Sequence, residues 1–216
     1  MKFHNLHSPA QHKQKRAQQI RVMALVILLA FSFSLLSFHV RAVGVRREVL
    51  RLHVIAHSNA EADQFAKYAV RDAILAHSPA LFNGSLCMDE AQAAILPRIE
   101  ELEIIAQNTL AQLGLNHSVH ITVDTAFFNT RSYAEAGLTF PAGRYQAVQI
   151  FLGDSVGENW WCVMFPPLCL PAASQTVTLD AVLTNGQLRV VQANPRFEVR
   201  FRVVELWESL VERLRS

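Results

Sequence analysis

The feature that most constrains this chain is a long stretch without a charged residue near its N-terminus. Val22 to Val40 contains no Lys, Arg, Asp or Glu over 19 residues. As a helix it would be about 28 Å long, close to the hydrocarbon thickness of a bilayer. The apolar core of a cleaved signal peptide is shorter, about 7–15 residues, and residues 39–44 form a poor small-x-small cleavage site. The stretch therefore predicts a transmembrane signal anchor at residues 22–40, with a cleaved signal sequence as the alternative.

The charges on either side of this stretch are unequal. Five of the 20 basic residues and none of the 18 acidic residues lie in residues 1–40, so the remainder carries a net charge of about −3. The positive-inside rule predicts that residues 1–21 are a basic cytoplasmic tail. We then expect residues 48–216 to form an extracytoplasmic domain. Its acidic balance offers no basic stripe for nucleic acid, which excludes that class of partner.

Alternation of apolar and polar residues predicts several short strands in this domain. In the first, near residues 49–56, Leu50, Leu52 and Val54 would face one side while Arg51 and His53 face the other. Further strands are predicted at about 119–124, 145–152, 161–165 and 197–203. The pair Asn185-Gly186 also predicts a tight hairpin between strands at 176–183 and 187–192.

Helical periodicity accounts for most of the remaining domain. A Ser58-x-x-Glu61 capping box predicts a helix from there to about residue 77, with Pro79 just after its end. Other helices are predicted at 88–113, interrupted at Pro97, and at 205–215. Helices combined with mainly antiparallel strands predict an α+β fold, a single domain whose sheet is covered by helices.

The segment from Asn159 to Cys169 has the most unusual composition in the chain. Its sequence, Asn-Trp-Trp-Cys-Val-Met-Phe-Pro-Pro-Leu-Cys, holds two of the three tryptophans and two of the three cysteines. Neighbouring side chains of an extended segment point to opposite faces, so Trp160 and Trp161 cannot enter the same core. We expect one to anchor packing and the other to face a groove or a partner. A two-layer domain that buries both is the alternative.

The cysteines of this segment are candidates for a disulfide. Thiols outside the cytoplasm tend to oxidise, and Pro166-Pro167 would turn the chain back between Cys162 and Cys169. We therefore predict a Cys162–Cys169 disulfide, with two buried free thiols as the alternative. Cys87 remains unpaired in either interpretation.

Charged residues at helical spacing suggest a second functional feature. Asp63, Lys67 and Arg71 follow one another four residues apart and form one stripe. A solvated helix face is the simpler interpretation, and a docking surface is the alternative.

Catalytic and metal sites are not supported by local spacing. Cys162 as nucleophile with His53 as base and Asp72 as its partner would make a thiol enzyme, but no neighbour lowers the pKa of the thiol. In a strand His53 and His57 would lie about 13 Å apart, too far for one metal ion. His117 and His120 would point to opposite sides. We predict no metal site, no small-molecule cofactor and no enzymatic activity.

Three ordered blocks of the domain resemble a known family. They are Leu-Arg-Leu-His-Val-Ile-Ala at 50–56 with its continuation at 63–75, Leu-Thr-Phe-Pro-Ala-Gly-x-Tyr at 138–145, and the Asn159–Cys169 segment. Together they resemble the stage II sporulation protein R family over about residues 48–169. The match departs from the family pattern at His57 and Asn59.

The resemblance implies a role in endospore formation. Members of that family are exported from the forespore towards the space between forespore and mother cell. There they activate a membrane-embedded aspartic protease that trims a mother-cell sigma-factor precursor. The expected partners are that protease and, through Val22–Val40, the membrane. The expected partner-binding residues are His53, Asp63, Arg71, Asn159, Trp160, Trp161, Pro166 and Pro167.

Other function classes remain open from the residues. Aromatic side chains in a groove would also suit an envelope enzyme or a peptidoglycan-binding module, although no convincing pair of catalytic carboxylates is present. A structural anchor of the septal membrane is a further alternative, and it requires an uncleaved span.

Overall fold

The computed structural model describes residues 9–168, 177–192 and 198–215. The chain divides into two compact units, residues 1–40 and residues 41–216. Helix α1 (Pro9–Arg47) begins in the first unit and ends in the second. Its part Gln14–Arg47 is long and apolar enough to cross a membrane, with a mean hydropathy of 2.3 over its most apolar window. A helix of this kind at the N-terminus indicates a membrane anchor or a signal sequence.

The second unit is built on a four-stranded sheet. Its strands are β1 (Leu50–Ile55), β2 (Val119–Phe128), β5 (Gly143–Leu152) and β6 (Asn159–Phe165). Their order is β2-β5-β1-β6, and only the β1–β5 pair is parallel. A small antiparallel pair, β3 (Arg131–Tyr133) and β4 (Leu138–Phe140), lies between β2 and β5 in the chain. The predicted α+β domain with a mainly antiparallel sheet is confirmed.

Three helices follow β1 in the chain. They are α2 (Glu61–Leu81), α3 (Met88–Ile95) and α4 (Ile99–Gln112). A 3-10 turn at Leu96–Arg98 interrupts the second helical stretch at the predicted proline. The predicted capping box does not form, because Ala60 is the N-cap of α2 and the Ser58 hydroxyl bonds to Asp63 instead. Pro79 lies inside the last turn of α2 and not beyond it.

The two faces of the sheet pack against different sets of side chains. Leu50, Leu52 and Val54 of β1 belong to an apolar core with α2, α3 and α4. Arg51 and His53 point to the opposite face, where a second core contains Phe128, Phe140, Tyr145 and Val163. The alternation read from residues 50–54 is therefore confirmed, and both faces are buried.

The described C-terminal elements are helices, although strands were predicted at 176–183, 187–192 and 197–203. They are α5 (Leu179–Val182), α6 (Asn185–Val191) and α7 (Glu198–Arg215). The predicted helix at 205–215 is confirmed as part of α7. Thr184 caps α6, and Gln187 completes a capping box with it, so Asn185-Gly186 starts a helix and not a hairpin. The predicted strand at 197–203 is also wrong over its described residues. Phe201 and Val204 are both buried, and their spacing of three residues suits a helix face.

Candidate functional site

Strand β6 presents the two adjacent tryptophans on opposite faces of the sheet. Trp160 lies opposite Val54 of β1, and Trp161 lies opposite His53. Both side chains are partly buried, and β6 is a terminal strand in the sheet order. The prediction that Trp160 and Trp161 enter different layers is confirmed, because Asn159–Phe165 is an extended strand.

On the helix side, Trp160 forms a mixed aromatic and cationic cluster with α2. Its ring meets that of Tyr68 edge-on at 5.5 Å between centroids. The Arg71 guanidinium lies 4.3 Å from the Trp160 ring centroid and 5.0 Å from that of Tyr68. Arg71 is also paired with Asp72, at 2.7 Å. We call Tyr68, Arg71 and Trp160 the Trp160 surface.

The exposure and the composition of the Trp160 surface suit contact with another protein. Tyr68 is 39% exposed, and Arg71 is partly exposed. The indole nitrogen of Trp160 is buried and has no hydrogen-bond partner among the described residues. Trp, Tyr and Arg are the residue types that contribute most to binding energy at protein interfaces.

On the other side, Trp161 packs against His53. The two rings stack with centroids 3.7 Å apart and planes 14° apart, and Phe128 meets Trp161 edge-on at 4.7 Å. Neither ring nitrogen of His53 has a hydrogen-bond partner in the described part of the chain. Burial lowers the pKa of His53 to about 4, although the neighbouring side-chain amides of Asn159 and Gln149 act in the opposite direction. His53 is therefore neutral at pH 7 and contributes packing.

Arg51 occupies the centre of this second layer and is completely buried. Its guanidinium carbon lies 4.4 Å from the Phe128 ring centroid and 5.0 Å from that of Tyr145. It donates hydrogen bonds to the Cys162 carbonyl and the Tyr133 hydroxyl, each at 2.9 Å. Burial lowers the pKa of Arg51 below its usual value. Aromatic rings stabilise this cation through their negative faces.

Asp63 lies at a third place, in the first turn of α2. One carboxylate oxygen accepts a hydrogen bond from Ser58 at 2.5 Å, and the other lies 2.9 Å from Nε2 of His117. These contacts, led by the Ser58 hydroxyl, lower the pKa of Asp63. Asp63 is 7% exposed and Lys67 is 1% exposed, so the interpretation of their stripe as a solvated helix face is wrong.

The residues predicted to bind a partner therefore do not form one surface. Arg71 accompanies Trp160, His53 accompanies Trp161, and Asp63 lies apart from both. Of the remaining three, Pro166 and Pro167 are buried in the turn after β6, and Asn159 is exposed. Among these residues, the Trp160 surface and Asn159 combine exposure with the side chains that favour binding.

Two hypotheses concern Cys162, one as the nucleophile of a thiol enzyme and one as a partner in a disulfide. Cys162 belongs to the helix-side core, whereas His53 faces the opposite layer, so the alternative of a thiol enzyme with Cys162, His53 and Asp72 is not supported. Strand alternation separates them, because Cys162 is paired with Leu52 and not with His53. Cys169 lies outside the described residues, and the Cys162–Cys169 disulfide stays a prediction.

Several residues of these clusters were missed by reading the sequence. Tyr68 lies beside Trp160 although 92 positions separate them, and His117 lies beside Asp63 across 54 positions. The sequence itself shows only the three-residue spacing of Tyr68 and Arg71, which places both on one face of α2. A metal site was considered only for histidines close in sequence, and this overlooks the pair of His57 and His117, whose rings stack.

Comparison with known proteins assigns the family of this chain. A family model described as stage II sporulation protein R matches residues 46–175. The chain belongs to the stage II sporulation protein R family. The match contains β1, α2, β6 and thus the whole Trp160 surface, and it ends before α5.

A curated relative agrees with this assignment. Stage II sporulation protein R of Bacillus subtilis (strain 168) is 35% identical over 127 residues. The alignment covers 59% of this chain and 56% of that relative, so it spans little more than half of the relative's length. No solved structure matches the chain. The family name supports a role in sporulation.

Proposed function

We propose that this protein is an intercompartmental signal of endospore formation that activates a membrane-embedded aspartic protease. The protease would trim the precursor of a mother-cell sigma factor. Family membership supports the sporulation role. The apolar helix α1 supports export from the forespore to the intermembrane space, either anchored or after cleavage.

The observation that carries the docking proposal is the Trp160 surface. It combines a partly exposed Tyr, an Arg and a Trp at the terminal strand of the sheet. Trp161 has a different role in this proposal, since its contacts with His53 and Phe128 hold β6 in place from the opposite face.

The protein would act as a ligand and not as a catalyst. Binding shifts a conformational equilibrium only when the ligand prefers one state. The Trp160 surface must therefore contact the active arrangement of the protease more favourably than the resting one. The predicted Cys162–Cys169 disulfide would lock the turn that follows β6 and limit the movement of that strand.

Reconstitution in a non-sporulating bacterium tests this proposal. The chain is co-expressed with the cognate protease and the sigma-factor precursor, and trimming is followed by gel electrophoresis. We expect trimming that depends on this chain. Absence of trimming with a folded and exported chain would reject protease activation.

The docking surface is tested in the same system by Trp160→Ala. We expect trimming to be lost while the variant is exported and its melting temperature shows a folded domain. Trp207→Ala is the matched control, because Trp207 is 58% exposed on α7 and lies outside the family match. Full trimming by folded Trp160→Ala, or equal loss in both variants, would reject this surface.

A further inference from the structure

Three side chains that are distant in sequence converge at one end of the sheet. His57 follows β1, Asp63 lies in the first turn of α2, and His117 precedes β2. One potential ligand atom from each lies within 4.8 Å of the other two. The rings of His57 and His117 stack with centroids 4.1 Å apart. All three residues are partly or mostly buried, so the cluster lies in a sheltered position.

The backbone around the cluster holds these side chains in place. The Asp154 N–H donates to Nδ1 of His57 at 2.9 Å, and the Gly153 N–H donates to the Ser118 carbonyl at 2.8 Å. Gly153 has a φ of 55°, and a Cβ there would lie 2.3 Å from Nδ1 of His57. A side chain at position 153 is thus excluded by the histidine ring. The loop at 153–154 is tied to both histidine segments.

The carboxylate is oriented as well. Ser58 holds one oxygen of Asp63, which leaves the other directed at Nε2 of His117. The carboxylate oxygen that faces His117 is therefore placed to act as a ligand atom beside the two imidazoles.

We propose that His57, Asp63 and His117 form a binding site for a divalent transition-metal ion of the Zn²⁺ type. Zn²⁺ takes imidazole nitrogen and carboxylate oxygen at about 2.0–2.2 Å in tetrahedral sites. Three protein ligands leave the fourth position for water. The site lies apart from the Trp160 surface and does not rest on the proposed function.

Metal binding requires two local adjustments. The planes of His57 and His117 are 19° apart in their stack, so one ring must rotate for both lone pairs to point at a common ion. Nδ1 of His57 accepts a hydrogen bond from the Asp154 N–H, so the proton of the neutral ring is on Nε2. For Nε2 to bind the metal, this proton must move to Nδ1, which breaks the hydrogen bond from the Asp154 N–H. The Asp154 carboxylate, 3.8 Å from Nδ1, must then move closer to accept the new Nδ1–H. Carboxylates hold metal-bound histidines in this way in many sites.

Titration of the full-length chain with Zn²⁺ in detergent micelles tests the site. The chain has nine histidines, and His4, His7 and His12 in the tail could bind Zn²⁺ by themselves. All measurements therefore use a parent variant with those three changed to Gln. We expect this parent to bind one Zn²⁺ per chain by calorimetry and to melt at a higher temperature with Zn²⁺.

Single substitutions then locate the ligands. His57→Asn keeps an acceptor for the Asp154 N–H but lacks Nε2, and His117→Gln removes the second imidazole. Each should weaken Zn²⁺ binding by more than about 10-fold, the lower limit for losing even an outer-shell partner. His120→Gln is the matched control and should bind as the parent does, because its ring is largely exposed and pairs with Glu103.

The outcomes separate clearly. Melting temperatures without Zn²⁺ first show whether each variant is folded. If His117→Gln does not fold, the affinity of folded His57→Asn for Zn²⁺ is enough to test the site. No saturable binding by the parent overturns the proposal. An unchanged Zn²⁺ affinity in folded His57→Asn also overturns it. So does a loss of Zn²⁺ affinity in His120→Gln that equals the loss in His57→Asn.

Discussion

The two faces of strand β1 bury similar numbers of side chains in entirely different ways. Leu50, Leu52 and Val54 pack into an aliphatic core beneath three helices. Arg51 and His53, from the same strand, lie among aromatic rings on the other face. Burial on the first face follows from the hydrophobic effect. Burial on the aromatic face depends on how the rings surround the Arg51 cation. No carboxylate of the described residues pairs with this cation.

The difference extends to β6 and to function. Trp160 shares the helix face but lies at its margin, where Tyr68 remains partly exposed. Trp161 shares the aromatic face and stacks on a neutral histidine. Adjacent residues of one strand thus serve different purposes, one for binding in our proposal and one for packing.

The largest expected effect compares the two faces directly. Leu52→Ala should lower the free energy of unfolding by about 2–5 kcal/mol, because it leaves a cavity in a completely buried site. Arg51→Met should cost much less, since an apolar side chain of similar length avoids the desolvation of a buried cation. Urea unfolding of both variants measures this. A greater loss for Arg51→Met would mean that the cation is essential to the aromatic layer.

A pH dependence of intermediate size is expected from His53. Its pKa is about 4 in the folded state and 6.5 in the unfolded chain. As the pH falls from about 6.5 to about 4, the unfolded chain takes up a proton that the folded state excludes, so stability decreases. Above this window His53 contributes no pH dependence.

Substitution of His53 makes this measurable. In His53→Gln, the decrease in stability between pH 7 and pH 4.5 should be smaller than in the parent by urea unfolding. His77→Gln, at an exposed position of α2, serves as the control. An unchanged pH dependence in His53→Gln would show that the histidine is hydrated or hydrogen-bonded in solution.

The smallest effect on stability is expected at the Trp160 surface. Arg71→Gln removes the guanidinium stacked on Trp160 and Tyr68, and such contacts at accessible sites contribute about 0.5–1 kcal/mol. Signalling should nevertheless be impaired in the reconstituted system. A variant that is destabilised by several kcal/mol, or one that signals fully, would assign Arg71 to the fold and not to docking.

Local patterns predicted the helix-side half of the domain well. Alternation at residues 50–54, the interruption at Pro97 and the opposite directions of Trp160 and Trp161 all depend on backbone periodicity, which the sequence carries directly. Errors occurred where two local signals competed. Asn185-Gly186 suits a hairpin, but Thr184 and Gln187 cap a helix there.

The amino-acid sequence was enough to predict the apolar N-terminal helix, the α+β class and the family. Each of these depends on composition, spacing or motif order within short segments. Three features became visible only in the folded domain: Arg51 is buried among aromatic rings, Arg71 lies on Trp160, and His57, Asp63 and His117 meet. These contacts join positions separated by up to about 90 residues, and the register of β6 and β5 against β1 brings them together.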